Sequence, residues 1–387
     1  MLSIPVIQLG QERSSVTPDW CFYNQYRLLD GSTVLQNIQQ GGTLTIVLGV
    51  FRGPVTVRIM SMDPEGEMGK NSGRTSTLGG FGRELALRCI SEGFTVFAGC
   101  LTLKGEASLK ADCKSSKLHT VSLDVTSDES VKNAKEYVES NLKHGLQLWG
   151  IVNNAGVFSC YGPDDWTSVS DYQKAAEVNT FGVIRVTQAF KRLIKKSQGR
   201  IVAVSSVNGR LSTPAAGPYV VSKFGTEAYM DCIRQELHYM DVKVSLLEPG
   251  IFRTALLDEK AMLDRVESVS PKILFMSTLK FQRDFFRTLY LLKQVLVSST
   301  IAAMWNELFI TKSSTQIHHV IDNYMHALTA VYPRHRYYCG WDAILLFIPV
   351  SLLPTWLSDY ITRVYAPQQV YPAVIEAKNQ AMQKKSQ

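Results

Sequence analysis

Hydrophobic and polar positions along the chain fall into two regimes that meet near residue 79. Residues 1–42 are rich in Gln, Asn, Ser and Gly and show no steady period. Two apolar, β-branched runs follow, Thr43–Phe51 and Val55–Met60, separated by Arg-Gly-Pro. They predict strands joined by a tight turn. The polar stretch Asp63–Gly79 then reads as a loop.

From Gly80 the pattern becomes regular. Leu85, Leu87 and Ile90 among charges predict an amphipathic helix over Gly82–Glu92, stopped by Gly93. Phe94–Cys100, Thr120–Leu123, Leu148–Val152, Arg200–Ser205 and Val242–Leu247 read as short apolar strands. Helices are expected between them at Ser127–Leu142 (capped by Thr126 or Ser127), Asp171–Lys196 and Pro218–Met240. Short strands that are apolar throughout are buried on both faces. Their alternation with helices implies a doubly wound parallel α/β sheet, Rossmann-like, with a helical C-terminal extension. On such sheets ligands collect at the carboxyl ends of the strands. Here those ends carry Asp124, Asn153–Gly156, Ser206 and Pro249–Gly250.

Composition narrows the class. Of 387 residues 45% are apolar and 19% charged, enough to bury a large core. The net charge of +7 is modest, and no dense basic run with interleaved aromatics points to nucleic acid. Seven scattered cysteines without a Cys-x-x-Cys signal neither zinc nor a disulfide framework, so buried reduced thiols are expected and no metal. Met1–Gly10 lacks a secretory signature, and no run reaches the roughly 18–20 apolar residues of a spanning helix. Trp341–Leu357 comes nearest, but it contains Asp342, Pro349 and Pro354. It reads either as a buried helix–turn–helix or as a segment lying on a membrane surface.

The stretch richest in chemistry is Tyr219-Val-Val-Ser-Lys223. On a helix these two residues share a face. An ammonium beside a phenol favours the phenolate, so Lys223 is expected to lower the pKa of Tyr219. That would fit the tyrosine to exchange a proton with an alcohol or carbonyl. The motif alone also occurs by chance on surface helices; the strand-end residues in register with it raise its meaning.

Taken in order, Gly80-Phe81-Gly82, Leu123-Asp124-Val125-Thr126, Asn153-Asn154-Ala155-Gly156, Asn179, Ser205-Ser206, Tyr219/Lys223 and Pro249-Gly250 with Thr254 resemble the short-chain dehydrogenase/reductase family. Gly99-Cys100-Leu101-Thr102, Leu148-Trp149-Gly150 and Arg336-Tyr-Tyr-Cys-Gly340-Trp341-Asp342 resemble its retinol and hydroxysteroid dehydrogenase branch. The resemblance implies NAD(P)-dependent interconversion of a hydrophobic alcohol, such as retinol or a hydroxysteroid, and its carbonyl. Tyr219 would exchange the proton, Ser206 orient the substrate oxygen, Lys223 bind the nicotinamide ribose, and Asn179 hold a relay water. Gly80, Phe81 and Gly82 would face the pyrophosphate, Asp124 the adenine and Thr254 the carboxamide. Asn153, Ala155, Gly156, Pro249 and Gly250 would line the cofactor. The branch favours NAD, with NADP also open because Lys104 lies near the end of the second strand.

The family's glycine loop follows directly on its first strand, as Thr-Gly-x-x-x-Gly-x-Gly. Here Ser76 stands at the first glycine, and Glu67–Arg74 is too polar to be that strand. Thr43–Phe51 or Val55–Met60 would have to supply it through a long loop. The rival reading is a catalytically silent binding protein with an impaired cofactor loop. The expected organisation is an atypical N-terminal segment (1–78), a dehydrogenase domain (79–330) with a substrate-covering region after 254, an apolar segment (331–367) and a polar tail (368–387). Implied partners are a hydrophobic small molecule, a membrane surface contacted through 341–357, and a second copy of the chain. The implied location is the endoplasmic reticulum membrane, the alternative cytoplasmic.

Overall fold

The computed structural model describes residues 56–60, 80–142, 146–257 except 159, 160, 163, 165 and 166, and 311–365. The expected strand Thr43–Phe51, the loop Asp63–Gly79 with Ser76, residues 258–310 and the polar tail lie outside the described residues.

Seven strands of the described residues form one sheet: β1 (Thr56–Met60), β2 (Thr95–Cys100), β3 (Leu118–Ser122), β4 (Gly150–Asn153), β5 (Arg200–Val204), β6 (Lys243–Pro249) and β7 (Arg336–Cys339). The spatial order is β3-β2-β1-β4-β5-β6-β7, and every neighbouring pair is parallel. The chain reverses direction of growth between β1 and β4, the switch point at which doubly wound folds open a crevice. The centre of the sheet is therefore taken from upstream of Gly80. Thr56–Met60 pairs with β2 on one side and β4 on the other.

Parallel strands need crossover helices that keep one hand, so growth in two directions covers two faces. α1 (Phe81–Ser91) and α7 (His318–Thr329) pack against each other on one face. α3 (Asp128–Asn141), α5 (Gly182–Ser197) and α6 (Gly217–His238) pack side by side on the other. The continuous apolar runs of β4 and β5 are buried along their whole length, as strands covered on both faces require. In α5 the buried stripe is Val183, Val186, Phe190 and Ile194, one residue per turn. The Ser127 side chain caps α3, accepting the Ser130 N–H at 3.2 Å.

Two elements were not foreseen. α2 (Leu103–Asp112) buries Leu109 alone, so it carries no apolar stripe to read. The edge strand β7 mixes an arginine, two tyrosines and a cysteine. A third departure interrupts the long helix expected over Asp171–Lys196. α4 (Val169–Ala176) is followed by a π turn, Glu177–Phe181, before α5 begins. Beyond β7 a π turn (Ala343–Phe347), α8 (Ile348–Ser351) and α9 (Thr355–Tyr365) form the helix–turn–helix. Ala343, Phe347 and Val350 are buried against Val207 and Leu211, while Trp341, Leu345, Leu352, Trp356, Tyr360 and Val364 are exposed. Among the described residues no helix is long and apolar enough to cross a membrane.

Candidate active site

A cleft of about 1230 Å³, including its open mouth, lies at the carboxyl ends of β4, β5 and β6. Each functional side chain reaches it from a chain reversal. β5 ends at Val204, and Ser206 caps the short turn Val207–Gly209, its Oγ accepting the Asn208 N–H at 3.2 Å. α6 starts with Pro218 in its first turn, a position that needs no backbone N–H. Tyr219 in that same turn and Lys223 in the next share the face turned to the cleft, four residues apart.

Ser206 and Tyr219 line the cleft together. The Tyr219 ring stacks on Phe158 with centroids 4.7 Å apart. Burial pushes the phenol up to about 12, and the Ser206 hydroxyl offsets only part of this. The expected lowering by Lys223 is therefore corrected. The ammonium sits 5.6 Å from the tyrosine ring centroid and donates to Val204 O at 3.1 Å. Burial brings Lys223 itself down to about 8, opposed by the charge of Glu227 one turn along. In so dry a site desolvation outweighs the attraction between the pair.

Asn179 is fully buried in the π turn. Its Oδ1 accepts the Val157 N–H at 2.8 Å, and its Nδ2 donates to Val157 O at 3.0 Å and Ser222 Oγ at 2.8 Å. It thus ties the loop after β4 to α6. Its backbone carbonyl accepts the Thr226 hydroxyl. The widened turn frees that position from the regular helical ladder, a device common at functional sites.

The remaining sequence-predicted residues divide. Phe81, Gly156, Pro249, Gly250 and Thr254 line the cleft together with Ser206, Tyr219 and Lys223. Gly80 stands at the N-terminus of α1, where it has no side chain to cap the helix, and Gly82 is buried in its first turn. Asn153 points away, donating to Thr187 Oγ1 at 3.0 Å and bracing β4 against α5. Ala155 is buried in the core. Asp124 turns its Oδ1 onto Thr126, accepting the N–H at 2.9 Å and the hydroxyl at 2.7 Å. These last three do not line the cleft.

Sequence reasoning missed the apolar wall: Phe158, Tyr161, Phe252, Leu257 and Phe347. They come from three separate stretches, so no local pattern marks them. It also missed Asp342, whose Oδ2 accepts the Ile251 N–H at 2.6 Å. A side chain at Gly250 would overlap the Asp342 carboxylate, so that glycine is required by packing. Gly340, with φ of 101°, lies against the same carboxylate. Among the described residues no cluster suits a metal ion.

The donor set fits a dinucleotide. The helix N-terminus at Gly80 has no side-chain cap of its own, and first-turn N–H groups of a helix suit a phosphate. A Cβ at Gly156 would meet Asn179 Oδ1 at 3.5 Å and Lys223 Nζ at 3.6 Å, so the glycine leaves that face of the ammonium open.

The short chain dehydrogenase family model matches residues 75–263. A 3beta-hydroxysteroid dehydrogenase of Caenorhabditis elegans is 42% identical over 288 residues, 73% of this chain and 71% of that protein. The chain belongs to the short-chain dehydrogenase family. Within it, the likeness extends to the 17-beta-hydroxysteroid dehydrogenase type 6 of Bos taurus, 41% identical over 73% of this chain and 84% of that protein. Human retinol dehydrogenase 5 is 38% identical over 75% and 86%. These relatives put the chain in the retinol and hydroxysteroid dehydrogenase branch. A short-chain dehydrogenase/reductase from Burkholderia phymatum, solved in complex with NAD, superposes with a TM-score of 0.52 at 21% identity, covering 70% of this chain and 88% of that one. It supports the fold. The chain is an NAD(P)-dependent oxidoreductase of this family, and the enzyme reading replaces that of a silent binding protein.

Proposed function

We propose that this dehydrogenase interconverts a hydrophobic alcohol, of the retinol or hydroxysteroid type, and its carbonyl, with Tyr219 as general acid and base. The observation that carries the reading is the convergence of Ser206, Tyr219 and Lys223 on one apolar cleft at the strand ends. The nicotinamide cofactor, when bound, supplies or accepts the hydride. The chain's own residues handle the oxygen. Ser206 orients it by a hydrogen bond, and Tyr219, protonated at neutral pH, donates to it as a carbonyl is reduced and takes the proton back in the reverse direction. Lys223 would hold the nicotinamide ribose beside Gly156, and Thr254 the carboxamide. Asn179 keeps the loop after β4 in register with α6, and a relay water at its carbonyl belongs to the same reading.

The aromatic wall supports a large apolar substrate, as do relatives named for hydroxysteroids and retinol. NAD is the favoured cofactor. Arg83, the arginine of the first helical turn, is already engaged by the Asp112 carboxylate and Ser108 O, which leaves it unsuited to a 2′-phosphate.

Tyr219→Phe is expected to lower turnover at least about 10²-fold, the scale of a lost general acid. Its affinity for NADH, read by calorimetry, should stay near that of the unaltered chain. Retained turnover with retinol and hydroxysteroid substrates would overturn the role given to Tyr219.

A further inference from the structure

Behind the catalytic helix lies a buried charge cluster that the hydride chemistry does not itself use. Arg336, at the start of β7, forks between α6 and β6. It pairs with Glu227 and Asp231 of α6, and its Nη1 lies 2.5 Å from Glu248 Oε1 on β6. Glu248 is completely buried and Glu227 nearly so. Arg210, from the turn after Ser206, stands 4.0 Å from Glu248. On α6 itself Arg234 pairs with Asp231, and on β7 the Cys339 thiol lies near Glu248.

Glu227 touches the site from two sides. It lies one helical turn after Lys223, on the same face. It also supports the Ser206 turn from below. A side chain at Gly209 would come within 2.6 Å of Ser205 Oγ and 2.8 Å of Glu227 Cγ. The bare glycine thus lets the turn that presents Ser206 sit directly on Glu227. Arg336 holds that carboxylate in place by joining three elements that otherwise meet only through the sheet and its helix layer. Two buried carboxylates share one guanidinium, an arrangement whose desolvation exceeds what packing alone would need.

We propose that Glu227, clamped by Arg336 against Glu248, is a positioning residue of the reaction: it places a carboxylate one helical turn from Lys223 and seats the Ser206 turn against the catalytic helix. The proposal rests on the catalytic reading above. Burial brings Lys223 down to about 8 and the charge of Glu227 opposes this; burial raises Glu227 itself, and Arg336 works against that rise. Removing the carboxylate's charge while keeping its shape should tip that balance.

The test is Glu227→Gln in the full chain, with Glu227→Asp as the variant that keeps the charge. The first readout needs neither cofactor nor turnover. The ¹³Cε signal of Lys223, assigned with Lys223→Arg, is followed from pH 6 to 10. Lys223 should titrate near 8 in the unaltered chain. In Glu227→Gln its midpoint should fall by about 1 unit, the scale of one lost charge a helical turn away, and Glu227→Asp should restore most of it. The second readout is the pH profile of kcat/KM. The Gln variant should match the unaltered chain near pH 6 and fall behind towards about tenfold above pH 9, since each unit of pKa is a factor of ten. Should Glu227→Gln fail to fold, Glu227→Met, which leaves Arg336 paired with Glu248 and Asp231, carries the same expectation. An unmoved Lys223 midpoint overturns the proposal. Absence of turnover in the unaltered chain would instead overturn the catalytic reading and leave the titration intact.

Discussion

Among the described residues, one arginine is buried on β5 and another half-buried on β7, and the fold treats them differently. Arg200 opens β5 with its guanidinium 4.6 Å from the Trp149 ring centroid. It donates to Gly199 O at 3.3 Å and Ala330 O at 3.2 Å, and its Nε has no partner. Burial brings it down to about 10. Arg336 is also partly desolvated, but Glu227 and Glu248 outweigh that and hold it above its ordinary value. Arg200 lies at the amino edge of the sheet, away from the cleft, where carbonyls and an aromatic face suffice to tie helix and strand ends. Arg336 lies behind α6, where carboxylates fix the elements that carry Ser206, Tyr219 and Lys223. A charge without a counter-charge serves as a pin; a charge matched by carboxylates sets both position and field.

The sharpest test of this difference is Arg336→Met. It leaves Glu227, Glu248 and Asp231 facing one another without their shared cation. A loss of about 3–5 kcal/mol is expected, the cost of breaking a buried pair on one side. Burial, together with the charge of Glu227, already pushes Glu248 up to about 7. The loss should therefore be largest above pH 7 and shrink towards pH 5, as the carboxylates take up protons and cease to repel. Denaturant unfolding at the two pH values measures it; an equal loss at both would contradict the electrostatic account.

Asp342 extends the comparison to a half-buried anion held by backbone rather than by a cation. Its carboxylate fills the space that a Gly250 side chain would occupy. Gly250→Ala is expected to cost about 1–3 kcal/mol through overpacking. Combined with Asp342→Ala, which makes room but leaves the Ile251 N–H unpaired, the two losses should add to less than their sum. Strict additivity in thermal unfolding would mean that the two residues do not meet as described.

The smallest effect is assigned to Arg200→Met. An apolar chain of similar length can rest on Trp149, and no carboxylate is left alone, so the change should stay within about 1.5 kcal/mol of neutral. A loss as large as that of Arg336→Met would remove the distinction between the two arginines.

Much of this site was legible in the sequence because its pieces sit where strands end. Ser206, Tyr219 and Lys223 follow a buried strand and open a helix, and all three line the cleft. Asp124 and Asn153 follow the same rule yet serve turns and bracing, because a strand-end position does not say which way the side chain faces. Phe158, Phe252 and Phe347 converge from distant segments. The four-residue β7 carries Arg336, whose partners lie 88 to 109 positions away.

The sequence by itself determined the alternation of apolar strands and amphipathic helices, and hence a doubly wound parallel sheet. It also determined the Tyr219/Lys223 spacing, since both follow from local period and helical geometry. Only the tertiary structure decided that Thr56–Met60 enters the centre of the sheet across the polar stretch before Gly80. It alone decided that burial, rather than the neighbouring lysine, governs the tyrosine, and that Glu227 is the charge beside Lys223. Desolvation and long-range pairing depend on what surrounds a residue in space, and spacing along the chain does not carry that information.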